Sequence, residues 1–189
     1  MSTCLTDKIR NEIKEVLVTS DKMKERVKEI GSLISKDYDG KKLLLIGVLK
    51  GSVVFFADLI REINIPIEMD FISVSSYGAG STSSGVVTLK KDVGCDVSGK
   101  HVLIVEDIID TGFTLKYIKD LFQARNTKSV AICCALDKPT RRDKEINIKV
   151  DYAGFQIPDE FVVGYGLDYA ERYRNLPDVC VLSPEIYSQ

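Results

Sequence analysis

Apolar residues along this chain fall into short unbroken runs rather than strict alternation. Residues 42–48 (KLLLIGV), 102–106 (VLIVE) and 130–136 (VAICCAL) are mostly apolar and rich in branched side chains. Such runs mark strands covered on both faces, as in a parallel sheet. Between them the spacing turns helical. Met23, Val27, Ile30, Leu33 and Ile34 recur at helical intervals. Ser20-Asp21 precedes them, reading as an N-cap with an acid in the first turn. Residues 53–63 and 113–124 read as two more helices. Residues 15–19, 67–75, 86–90 and 146–152 read as further strands, and Ser183-Pro184-Glu185 as the start of a short last helix.

Buried runs alternating with helices predict an α/β fold, a mainly parallel twisted sheet flanked by helices with right-handed crossovers. The N-terminal helix and the turn-rich stretch 153–189 do not continue the alternation. They are expected to form a small hood lobe over the C-terminal edge of the sheet. The expected organisation is one domain, 1–189, with a core of about 36–152 and a hood of about 1–35 plus 153–189.

Bulk composition narrows the class. The chain has 189 residues, 44% apolar and 29% charged, the make-up of an ordinary globular domain with a sizeable core. A formal charge of −2 disfavours a general nucleic-acid partner. The basic cluster Arg141-Arg142-Asp143-Lys144 reads as a solvated turn, being shorter than the tracts of about 5–8 residues that mark nucleic-acid patches. The five cysteines (Cys4, Cys95, Cys133, Cys134, Cys180) are odd in number and form no CxxC pair. Cys133-Cys134 lies in an apolar run as a pair of small hydrophobes. This usage fits a reducing compartment. With no apolar leader and no run of about 18 apolar residues, the expected location is cytoplasmic, with no membrane partner. One histidine, His101, excludes a His-rich metal site. A Ser-His-Asp hydrolase built on it lacks the GxSxG elbow.

The stretch 102–115, VLIVEDIIDTGFTL, is where chemistry concentrates. A buried run leads to Glu106-Asp107, then to Asp110-Thr111-Gly112-Phe113-Thr114 and a helix start. In an open α/β sheet, ligands bind at such strand-to-helix junctions. A helix start offers unpaired N–H groups and a positive dipole end. Gly112 permits close backbone approach, and Thr111 and Thr114 add hydroxyls, which makes a phosphate cradle. The pattern GxxxxGK[ST] is absent, which disfavours nucleoside triphosphate hydrolysis of that type. Burying two adjacent acids is costly unless cations or hydroxyl donors meet them. A sugar diol or a hard cation such as Mg²⁺ answers that need.

The string resembles the phosphoribosyl-diphosphate signature of the type I phosphoribosyltransferases. Leu49-Lys50-Gly51-Ser52, Ser76-Tyr77-Gly78, Leu136-Asp137-Lys138-Pro139 and residues 157–169 (IPDEFVVGYGLDY) resemble, in order and spacing, the hypoxanthine-guanine phosphoribosyltransferases. The resemblance runs from about residue 16 to residue 182. The first string marks the superfamily; the DKP and IPDEFVVGYGLDY segments specify the 6-oxopurine branch. Taken singly, these residues have bland readings. Phe161 is core packing beside Val162-Val163, Lys138 a solvated strand end, Tyr77 a turn aromatic, Lys50-Gly51 a helix entry, and Asp168 with Arg174 a surface ion pair. Their joint occurrence in family order overrides those readings.

The resemblance implies a set of roles. The loop from Asp110 through Thr111, Gly112 and Phe113 to Thr114 would hold the 5′-phosphate. Glu106 and Asp107 would face the ribose hydroxyls and a Mg²⁺ ion, and Asp168 a second Mg²⁺ on the pyrophosphate. Lys50-Gly51, through a peptide bond that can be cis, and Arg174 would contact the pyrophosphate. Lys138 would reach the purine O6, Phe161 would stack on the ring, and the Val162 backbone would meet its exocyclic edge. Ser76-Tyr77 and the glycine-rich stretch after them would form a lid. The implied activity is Mg²⁺-dependent purine salvage from a 6-oxopurine base and phosphoribosyl diphosphate, releasing pyrophosphate and a purine mononucleotide (IMP or GMP). Asp110 would be the general base at N7. The implied assembly is a homodimer or homotetramer. Phe113 stands where many relatives carry a basic or smaller residue, and Ser52-Val53-Val54 departs from the glycine and basic residues of others. Two other readings remain at this point: a xanthine-preferring enzyme, and a nucleotide sensor keeping the fold. The retained Asp110 and Asp168 argue against the sensor.

Overall fold

The structure, a computed structural model, describes residues 7–76 and 87–188. In chain order the elements are α1 (Asp7–Glu12), β1 (Ile13–Val18), α2 (Ser20–Asp37), β2 (Leu43–Leu49), α3 (Val53–Glu62), β3 (Ile67–Ser76) and β4 (Val87–Lys91). They continue with β5 (His101–Ile109), α4 (Phe113–Gln123), β6 (Ser129–Asp137), a 3-10 turn (Pro139–Arg141), β7 (Tyr152–Gln156), β8 (Val162–Val163), β9 (Val179–Leu182) and α5 (Pro184–Tyr187).

Six strands form the main sheet in the order β4-β3-β2-β5-β6-β7. All neighbours run parallel except β4, which pairs antiparallel with β3 at one edge. The unbroken apolar runs follow from burial on both faces. In β2 and β5, Leu43, Leu45, Leu103 and Val105 join one apolar cluster with α2 and α3. Leu44, Ile46, Val102 and Ile104 join the other, with Leu115, Ile118 and Phe122 of α4. The period-two strand thus feeds both faces from one continuous run. A second, antiparallel sheet of order β1-β9-β8 forms its own hydrogen-bonded ladder, and Val18, Val162, Val179 and Val181 of its strands share the α2–α3 apolar cluster with the main sheet.

Several elements differ from the sequence reading. The N-cap of α2 is Thr19, whose Oγ1 accepts from the Lys22 N–H at 3.4 Å, not Ser20. The helix also runs on to Asp37. Strand β5 continues to Ile109, so Glu106 and Asp107 lie inside it. Residues 146–151 are not a strand. β7 starts only at Tyr152, opposite Cys133. Ile148 and Val150 instead pack irregularly on the α4 side, where apolar alternation serves covering rather than pairing. Residues 153–189, read as turn-rich, supply β8, β9 and most of β7. These strands are too short for periodicity to reveal.

α2, assigned to the hood from the sequence, lies on the main sheet. Its Arg26 Nε donates to the Gly154 carbonyl of β7 at 3.1 Å. A Cβ at Gly31 would meet Glu62 Cβ at 2.6 Å, so the absence of a side chain lets α2 approach α3. Its amphipathic stripe, Met23, Val27, Ile30 and Ile34, explains this placement, because the stripe needs an apolar face to cover.

Candidate active site

The C-terminal ends of the parallel strands gather the functional side chains, as an open α/β sheet favours. On β5, Glu106 is buried and sits opposite Cys134. The Asp107 N–H donates to Glu106 Oε1 at 3.2 Å, and the Ile108 N–H to Asp107 Oδ1 at 2.7 Å. Burial pushes the Glu106 carboxyl well above the usual range, and the Asp107 charge beside it pushes the same way. Burial likewise raises Asp107. Two acids so placed hold charge at a cost that a cation or hydroxyl donors relieve.

The turn after β5 delivers the chain into α4. Gly112 has φ +94, a left-handed conformation that glycine adopts freely. The first bond of the helix runs from the Lys116 N–H to the Gly112 carbonyl at 2.9 Å. The amides before it have no helical acceptor. No side chain caps this end and no acid lies in the first turn. With Glu106, Asp107, Asp110, Thr111, Gly112 and Thr114, this segment lines a cavity of about 220 Å³. An oxyanion fits such a rim.

Lys138 follows the end of β6. It is buried, and its Nζ donates to the Glu160 carbonyl at 2.7 Å. Burial holds its ammonium below the usual lysine range, although the Asp110 and Asp159 charges oppose that. Val162 is buried in β8, opposite Val181. Phe161 keeps 38% of its surface exposed. It stacks on Tyr187 with centroids 4.8 Å apart and meets Tyr169 edge-on at 5.7 Å. An aromatic face and a buried cation therefore approach through the Glu160-Phe161 backbone.

Lys50 and Gly51 lie between β2 and α3. The cis peptide bond is Leu49–Lys50, one residue before the expected Lys50–Gly51; nothing in the local sequence separates the two positions. A Cβ on Gly51 would fall within the Asp107 carboxylate, and one on Gly166 would strike the Gly51 carbonyl. Three distant segments thus close on one point. On the far side, Arg174 NH2 pairs with Asp168 Oδ1 at 2.8 Å, and Arg174 NH1 donates to the Gly166 carbonyl at 2.9 Å. Ser76 ends β3. Tyr77 and the glycine-rich stretch after it lie outside the described residues.

Three neighbours escaped the sequence reading. Arg141 Nε donates to Asp110 Oδ1 at 3.0 Å and lies 3.7 Å from Asp159. Arg142 pairs with buried Asp137, and a Cβ on Gly112 would meet its Cδ at 3.3 Å. The cluster read as a solvated turn therefore reaches back into the site. Its signal was its place, one 3-10 turn beyond Lys138. Glu171 bonds to both Lys50 and Arg174, and its signal was a charge set three residues from Asp168 and from Arg174.

The residues accommodate magnesium in one mode. Among the described residues no three acid, histidine or cysteine side chains converge to cage an ion. Magnesium keeps several waters and takes one or two carboxylates plus substrate oxygens. Glu106 with Asp107, and Asp168, fit an ion shared with substrate. His101 opens β5 at the end away from Glu106, bonded through Nδ1 to Ser129 Oγ at 2.8 Å. This removes it from the chemistry. Cys133, Cys134 and Cys180 are buried free thiols. Burial raises all three, Cys180 to about 11. No helix among the described residues is long and apolar enough to cross a membrane.

Fold and site together define a type I phosphoribosyltransferase, a glycosyltransferase-type enzyme. The family model described as phosphoribosyl transferase domain matches residues 15–170. The chain is 53% identical over 180 residues to a hypoxanthine-guanine phosphoribosyltransferase of Streptococcus pneumoniae, covering 95% of this chain and 99% of that one. It is 50% identical over 180 residues to the enzyme of that name from Staphylococcus aureus, with the same coverage. A crystal structure of a hypoxanthine phosphoribosyltransferase from Staphylococcus aureus superposes with a TM-score of 0.93 at 48% identity, covering 98% of this chain and all of that one. The chain belongs to the hypoxanthine-guanine phosphoribosyltransferase family.

Proposed function

We propose that this enzyme converts hypoxanthine or guanine and 5-phosphoribosyl 1-diphosphate to IMP or GMP and pyrophosphate, with Mg²⁺. The observation that carries the reading is the gathering, at the ends of the adjacent strands β5 and β6, of an acid pair with Glu106 buried, an uncapped helix start and a buried lysine beside an exposed aromatic ring.

In this reading the amides of Thr111, Gly112, Phe113 and Thr114 hold the 5′-phosphate, and the two threonine hydroxyls add donors. Glu106 and Asp107 accept from the ribose hydroxyls. Phe161 stacks on the purine, the Val162 backbone meets its exocyclic edge, and Lys138 donates to O6. The purine N9 attacks C1 as the C1–O bond to pyrophosphate breaks, through an oxocarbenium-like state. Asp110 takes the N7 proton on Oδ2, since Arg141 holds Oδ1. Lys138 stabilises charge building on O6. Lys50, Gly51 and Arg174 receive the leaving pyrophosphate. Magnesium, held by Glu106 and Asp107 and by Asp168, would neutralise phosphate charge. Ser76 and Tyr77 would help exclude water. The chain, 1–189, is read as one domain, supported by an apolar cluster running from Val18 to Val181. It is further read as a cytoplasmic homodimer or homotetramer, which light scattering checks.

A spectrophotometric assay with Mg²⁺ and phosphoribosyl diphosphate tests the reading, with hypoxanthine, guanine, xanthine and adenine offered separately. Turnover of hypoxanthine or guanine with adenine inert is the expected result. Turnover of adenine, or of no base, overturns it.

A further inference from the structure

The loop between β8 and β9 carries a carboxylate that the reaction above leaves idle. Glu171 Oε1 accepts from Lys50 Nζ at 3.0 Å, and its Oε2 from Arg174 NH2 at 3.2 Å. These are the two cations assigned to pyrophosphate. One carboxylate therefore spends one oxygen on each. The backbone is bent to deliver it. Ala170 has φ 50 and Glu171 φ 61, a region that side-chain-bearing residues avoid. The Glu171 N–H donates to Asp168 Oδ2 at 2.9 Å, which secures the turn. Strained backbone that persists around one contact points to a role for that contact.

The contact itself is easily exchanged. The Lys50 and Glu171 side chains are 68% and 64% exposed, and such pairs add little to stability. Arg174 NH2 is shared between Asp168 at 2.8 Å and Glu171 at 3.2 Å, so the guanidinium keeps its Asp168 contact if Glu171 leaves. A carboxylate with one negative charge holds two cations that suit a far more highly charged group.

We propose that Glu171 is a placeholder for pyrophosphate, holding Lys50 and Arg174 in position in the free enzyme and giving way when the diphosphate of donor or product binds. This rests on the reading of Lys50 and Arg174 as pyrophosphate ligands. The placeholder competes with the diphosphate, so it weakens binding and keeps the product exchangeable. It positions those cations and takes no part in bond making.

The test is calorimetric titration of the full-length enzyme with magnesium pyrophosphate, beside KM measurements. Glu171→Gln is expected to tighten pyrophosphate binding about three- to thirtyfold, and to lower KM for phosphoribosyl diphosphate while KM for hypoxanthine holds. Unchanged or weaker pyrophosphate binding by the folded variant overturns the placeholder. Should Glu171→Gln not fold, Glu171→Asp decides. Its shorter arm cannot span both cations, so binding should tighten to a lesser degree, and unchanged affinity overturns the proposal. Lys50→Gln and Arg174→Gln separate the two possible failures. If both weaken pyrophosphate binding and Glu171→Gln does not tighten it, the placeholder alone falls. If neither weakens it, the assignment of the two cations falls and the placeholder with it.

Discussion

The two charged halves of the site solve opposite problems. Glu106 and Asp107 are fixed in a buried strand, close together, with carboxyls raised by burial. Lys50, Asp168, Glu171 and Arg174 sit in loops near solvent and satisfy one another. The first half is rigid and in need of partners. The second is already partnered and must exchange. Under the proposed reaction, rigidity would suit a part that orients ribose, where small displacements cost rate, and exchange would suit a part that takes up and releases a highly charged group.

The sharpest way to break this comparison is at Asp110, which belongs to the rigid half but is tied to Arg141 on one side. If Asp110 is the base, Asp110→Asn lowers kcat by about 10²–10⁴, with KM for the donor little changed. Steady-state kinetics at saturating Mg²⁺ and donor read this directly, and near wild-type turnover removes Asp110 from the role.

Lys138 sharpens the same half through pH. Removing its charge as Lys138→Gln should cost about 10²–10³ in kcat/KM for hypoxanthine, as for a lost oxyanion donor. Burial lowers its ionisation from the usual 10.5. Activity should therefore fall as pH rises through that lowered value, once the ionisation of the base itself is allowed for. Stability should move the other way. Between the lowered value and 10.5 the unfolded chain binds more protons than the folded one, so folding gains as pH rises. A pH–rate profile without an alkaline limb below 10.5 contradicts the assignment. Lys138→Arg, which stays charged, should abolish the limb.

Gly51 is where the halves touch. A Cβ there would invade the Asp107 carboxylate, so Gly51→Ala must move either the acid or the Lys50 loop. A displacement of about 1 Å is expected to lower kcat/KM about 10²-fold, with an unaltered far-ultraviolet circular dichroism spectrum. A loss under threefold would mean that the two halves move independently.

The same contrast explains what the sequence made legible. The acid pair, Asp110, Gly112 and the threonines lie within one stretch of β5 and α4, where strand period and helix-start chemistry are both local. They could be read as a unit. Lys138 and Phe161 needed family order, because a buried lysine and a surface lysine look alike in one dimension. Glu171 and Arg141 were missed because key partners lie across the fold: Lys50 is distant from Glu171 in the chain, and Asp110 from Arg141. Arg142 was missed although its partner Asp137 is five residues away, because the burial of that acid has no mark in one dimension. The main sheet was legible from its apolar runs. The sheet β1-β9-β8 was not, since β8 has two residues and its partner β9, which in turn pairs with β1, is tied to it by no local pattern. α2 was misplaced for a related reason. Its stripe announced a buried face but not which surface covers it.

The smallest predicted effect concerns an exposed pair far from the chemistry. Arg125 bonds to Asp92 through both nitrogens of its fork, at 2.9 and 2.7 Å. That guanidinium, chiefly by hydrogen bonding, holds the Asp92 carboxyl below its usual value of 3.8. The stabilisation should be present above pH 3.8 and lost as pH falls through the lowered value. Because Asp92 is well exposed, Asp92→Asn should cost less than about 1 kcal/mol at neutral pH, read by urea titration, and the difference from wild type should vanish in acid. Glu171→Gln should cost no more than this, since its carboxylate is more open to solvent than that of Asp92. If instead Glu171→Gln destabilises the protein by several times the Asp92→Asn value, the exposed half of the site is structural, and the contrast between a rigid half and an exchanging half fails.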